Sequence, residues 1–239
     1  MPSGAHLSKR IFQSLTLAIV ATFVLALALN TLSSAMGEAC RVLIGLLGLD
    51  ASIETHELRL GNWLLGQHVG IAQNVSVPDW FSLGVHWVIT LGILAGSLQI
   101  RSKPVRSALQ LVCVIHAIGL MVVTAQGNHF PYTPVEHTGV IFDCGLIWLF
   151  ATPWLLAAGF YLVERSWRNR LLASALILGF QLIALPLKLT LHALLIALLS
   201  PAAIPTLFIA LGPILDVILF GALNAWVMAW PTLRAGARK

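Results

Sequence analysis

Charge is what this chain has least of: charged residues make up 10% of its 239 residues, against 58% that are hydrophobic. So little polar surface cannot cover a soluble globule, so the composition excludes a water-soluble domain and calls for lipid as the solvent. Also missing are His-Glu-x-x-His and Cys-x-x-Cys spacings, an internal repeat, and any basic stripe interleaved with aromatics. The first two absences remove the usual zinc signatures. The last removes a nucleic-acid interface despite a formal charge of +5.

What is present is a series of long apolar runs. A span needs about 20 apolar residues to cross a hydrocarbon core of about 30 Å. Six segments qualify, at 11–36, 81–99, 107–125, 139–163, 171–199 and 204–229. Eleven of the fourteen Lys and Arg fall in alternate gaps, as Lys9 and Arg10, then Arg101, Lys103 and Arg106, then Arg165, Arg168 and Arg170, then Arg234, Arg238 and Lys239. By the positive-inside rule these segments are cytoplasmic, with both termini among them. Trp80, Trp167 and Trp230 stand at span ends, where an amphipathic ring prefers the headgroup layer. The expected fold is an all-α polytopic protein of the bacterial inner membrane, one transmembrane domain over 1–239. The first span has signal-peptide features but is too long for a cleaved signal core, and reads as an anchor.

Residues 37–80 form an outward-facing cap between spans one and two. Residues 38–48 are too short to cross and predict an interfacial helix. Beyond it, Leu58 and Leu60 alternate with Glu57 and Arg59, and Val69, Ile71, Val75 and Val77 keep a period of two apart from Gln73. With Gly66-Gln67 as the break, this predicts a β-hairpin resting on the outer ends of the helices.

Charges inside lipid are costly, and each is a functional hypothesis. Lys188 lies eleven residues before Leu199 and Asp216 twelve after Ile204, so both fall at one depth on consecutive antiparallel helices. They predict an intramembrane polar pair, with His192 one turn from Lys188 on the same face. Pro186 and Pro213 predict kinks beside the two charges. The pair reads either as a static lock or as an ion relay. A second polar grouping, His86, His129, Glu136 and Asp143, collects at the outer boundary, where His56 or His68 of the hairpin can join it. Imidazole with carboxylate suits acid–base or zinc chemistry, but no ligand motif completes it, and neither metal nor organic cofactor is expected. His116 with His192 is the only rough bis-histidine haem candidate. Cys40 and Cys144 both lie near the outer face and can form a disulfide if the helices bring them together, with Cys113 on the inner side.

Glu38-Ala39-Cys40 resembles the Glu-Ala-Cys that opens the nucleophile motif of exosortases, multi-pass membrane cysteine transpeptidases of bacterial envelope protein sorting. The run Glu136-His137-Thr138-Gly139-Val140-Ile141-Phe142 is similar to the neighbourhood of their outward-facing histidine. The resemblance covers 11–163 and implies a catalytic pair of Cys40 and His137. Arg41 stands where Ser-Gly follows the cysteine in that family, and no outward Asn-x-x-Arg is present, so the resemblance implies an accessory or degenerate member. The expected function is therefore a non-catalytic accessory or scaffold subunit with a membrane-protein partner. An outward thiol or metal-dependent transpeptidase, and a small proton- or ion-coupled transporter using Lys188 and Asp216, are the alternatives.

Overall fold

The computed structural model describes residues 4–60, 63–75, 79–126, 133–162 and 166–230. Six helical stretches are long and apolar enough to cross a membrane. In chain order the elements are α1 (Gly4–Leu47), β1 (Ala51–Leu60), β2 (Trp63–Gln73), α2 (Trp80–Ser97), α3 (Lys103–Gln126), α4 (Pro134–Leu162), α5 (Trp167–Leu199), a 3-10 turn at Pro201–Ala203, α6 (Ile204–Leu211) and α7 (Pro213–Met228). Helices α6 and α7 together make the sixth span.

The cap differs from expectation in two ways. Residues 38–48 are not a separate interfacial helix: α1 runs unbroken for 44 residues, about 66 Å at 1.5 Å per residue, with no proline between Ser33 and Leu47 and β2 alongside. Gly66-Gln67 is not the turn either. Both residues are paired within the ladder, Gly66 with Leu58 beside a bulge and Gln67 with Glu57. A glycine inside a strand marks a bulge or a close approach, and here it marks both, since Gly66 lies against Leu29 and Ser33 of α1.

The hairpin therefore lies alongside the helices instead of on their ends. Strand β2 wedges between α1 and α4, with β1 outside it. Val69 faces Gly37 of α1, and Gly70 packs against Val135 of α4. Two side-chain hydroxyls meet the strand's backbone: Gln67 N donates to Ser33 Oγ at 3.0 Å and Ile71 N to Thr138 Oγ1 at 2.8 Å. Val69 and Ile71 join Met36, Cys40, Ile141 and Phe142 in the largest apolar cluster. Burying both faces of β2 is what gives a two-stranded ribbon stability it would lack alone.

At the opposite end of the bundle Leu156, Phe160, Ala173, Ile177 and Val227 tie α4, α5 and α7 together. The α2–α3 pair packs through Leu83, Leu120 and Val123 onto Ala202 of the 3-10 turn. The two prolines behave differently from one another. Helix α5 passes through Pro186 as one element, whereas the sixth span breaks outright before Pro213. A proline placed first in a helix loses no hydrogen bond, so α7 starts there. The residue before it, Gly212, admits the Phe208 carbonyl oxygen into the space a Cβ would fill.

Candidate functional site

Helix α5 is the element on which the polar groups converge. Lys188 Nζ donates to both carboxylate oxygens of Asp216, each at 2.7 Å. The pair is nearly enclosed, with side chains 7% and 17% exposed. One turn further, His192 Nδ1 lies 2.8 Å from His137 Nε2 at the start of α4, both rings buried. Phe208 stands edge-on to His137, and the Leu211 carbonyl at the end of α6 lies near His192. The hairpin's Gln73 Nε2 reaches the Ala193 carbonyl at 3.0 Å, five residues beyond Lys188, so the ion pair belongs to the hairpin-side half of α5.

Two further contacts on α5 are not among the residues singled out from sequence. Gln181 Nε2 donates to Thr152 Oγ1 of α4 at 2.7 Å, and Arg170 Nη1 to Ser14 Oγ of α1 at 3.0 Å. Arg170 reads in the sequence as a cytoplasmic flank, yet it is buried. A signal for both exists: at about 100° per residue Arg170, Gln181, Lys188 and His192 fall within about 40° of one another. They form a single polar stripe on a 33-residue helix.

The catalytic expectation fares differently. Cys40 is fully buried, its Sγ facing the Pro186 carbonyl oxygen at 3.8 Å, with Thr190 beside it. A carbonyl accepts from a thiol and repels a thiolate, the form that attacks. His137 holds His192 instead, so Cys40 and His137 have separate partners on α5. No disulfide joins Cys40 and Cys144: all three cysteines are free.

The described members of the outer grouping divide among three roles. His86 stacks near His116 at 5.5 Å between ring centroids and lies 3.4 Å from Ser200 Oγ. His116 itself holds Thr206 Oγ1 through Nδ1 at 3.0 Å. Glu136 closes a capping box, its Oε2 accepting from Thr133 N at 2.9 Å while Glu136 N donates to Thr133 Oγ1. That Thr-x-x-Glu signature of a helix start is legible in the sequence. Asp143 holds His68 Nδ1 at 3.0 Å. The other edge of that imidazole fills the notch left by Gly139, where a Cβ would collide with Nε2, so His68 clamps the hairpin to α4. His129 lies outside the described residues. Among the described residues no three His, Cys, Asp or Glu side chains are placed to hold a metal.

One cavity of about 250 Å³ adjoins the stripe, lined by Trp148 of α4, Ala184 and Lys188 of α5, and Asp216 and Leu219 of α7. Compared with known proteins, the chain matches no family model, no curated protein and no solved structure.

Proposed function

We propose that this chain is a non-catalytic scaffold subunit of an envelope protein-sorting or assembly system. It sits in the bacterial inner membrane with both termini cytoplasmic and carries a membrane-protein partner. The observation that supports this reading is the α5 stripe: each polar group on it grips a different neighbour, Ser14 of α1, Thr152 and His137 of α4, and Asp216 of α7. Groups satisfied one against another hold helices in register, whereas a reaction centre needs them aimed at one open point. The exosortase-like Glu38-Ala39-Cys40 supplies the envelope-sorting part of the reading.

The break at Gly212 favours ion-coupled transport as a second reading, because discontinuous helices beside charges build many transporter sites. The stripe argues against it. Gln181 and Lys188 are seven residues apart, about 10 Å along the helix, and buried Ile177 and Ala173 fill the longer interval to Arg170. A proton wire needs hydrogen-bonded steps.

The test is complementation. Deleting the chain is expected to impair processing of envelope substrates in its host, and Cys40→Ala, supplied in its place, is expected to restore processing in full. Loss of processing with Cys40→Ala at normal protein level would establish a thiol enzyme and end the scaffold reading.

A further inference from the structure

The cavity beside Lys188 and Asp216 arises from how α7 is fastened. Near the hairpin side the ion pair ties α7 to α5, and eleven residues on, Val227 packs with Ile177 and Phe160. That interval is about 16 Å along a helix. On the other side α4 and α5 approach so closely at Gly145 that a Cβ there would collide with Leu185. Between these contacts lies a slot of about 250 Å³, backed by Trp148 and Phe220 with ring centroids 6.1 Å apart. Its rim on α5 carries Ile183 and Leu187, 66% and 50% exposed on the lipid-facing side.

We infer that this slot binds one hydrocarbon chain of a neutral lipid whose first polar group, a hydroxyl, ester or amide, meets the Lys188–Asp216 pair. Three observations select that occupant. The walls are apolar except for Gln181 and the ion pair, so water gains little by entering. A helix is about 10 Å across with its side chains and does not fit a slot of this volume, whereas an extended chain does. The carboxylate of Asp216 accepts twice from Lys188 but has further lone pairs, and Lys188 has a third proton. A neutral head satisfies both, whereas an anion meets the carboxylate and a cation meets the ammonium. The polar end of the slot lies toward the hairpin, five residues from the Gln73 contact on α5.

The experiment uses the purified full chain in nanodiscs with a long-chain alcohol carrying a photoactivatable diazirine. Cross-linked peptides are mapped by mass spectrometry. Adducts are expected on the α5 and α7 walls, around Ala184 and Leu219. Ala184→Phe, which fills the slot, is expected to lower them about tenfold with melting and elution unchanged; if that variant does not fold, Leu187→Trp at the rim takes its place. The same unlabelled alcohol is expected to compete about tenfold better than an equal chain ending in carboxylate or trimethylammonium. Adducts spread evenly over the lipid-facing residues of α1 and α2, adducts indifferent to the slot-filling variant, or equal competition by the charged chains would each overturn the inference. So would cross-links at Ala184 to a co-purifying protein, which would make the slot a helix-docking site.

Discussion

Lys188→Met alone is expected to destabilise the folded protein by about 3–5 kcal/mol, and Asp216→Leu alone by a similar amount. Each change leaves the other charge enclosed, 7% or 17% exposed, without its partner at 2.7 Å. The double variant removes both charges and replaces them with apolar side chains of similar size, and is expected to recover most of the loss. Reversible unfolding in mixed micelles measures all four corners of the cycle. Two single variants as stable as the parent would show that the pair holds nothing. The same variants separate the lock from the relay, because a relay makes the stable double variant fail in ion-coupled uptake by vesicles, while a lock leaves no uptake to lose.

Gly212→Ala is expected to cost about 3 kcal/mol, at the upper end of overpacking penalties. The added methyl would enter the position of the Phe208 carbonyl oxygen and press on Ile141 Cδ1 at 3.0 Å. Backbone cannot swing aside as a side-chain tip can, so either α6 unwinds or α7 tilts away from Asp216's partner. Gly179→Ala and Gly221→Ala are the controls, since nothing lies within 4 Å of a Cβ at either site. They are expected to leave stability within about 1 kcal/mol, the difference in helix propensity. Unfolding midpoints of the three variants decide it; equal midpoints would mean the break is not held by that close approach.

The spans, the hairpin and the meeting of Lys188 with Asp216 are legible because each rests on a simple period or count: runs of about 20 residues, alternation by two, equal depth from a shared outer end. What is illegible depends on distant chain. Nothing near Ser33 announces that α1 continues to Leu47, because the wall that supports it is β2, brought alongside by tertiary packing. The turn is misplaced because Gly66 looks like a turn residue and is a packing notch. The polar grouping at the outer boundary shares a depth but not a face, so His86 turns to His116 while Asp143 turns to His68. Glu136 could have been assigned from Thr133 three residues earlier, and the α5 stripe from the angular positions of Arg170, Gln181, Lys188 and His192.

With six spans, the hairpin and the basic segment between α2 and α3 lie on opposite faces of a membrane. Single cysteines at Asn74 and Ser102, in a chain whose Cys40, Cys113 and Cys144 are replaced by alanine, test that directly with a membrane-impermeant maleimide on intact cells. Asn74→Cys is expected to label from outside, and Ser102→Cys only after the cells are permeabilised. Labelling of both positions on intact cells would put the two ends of α2 on one face and contradict the six-span account.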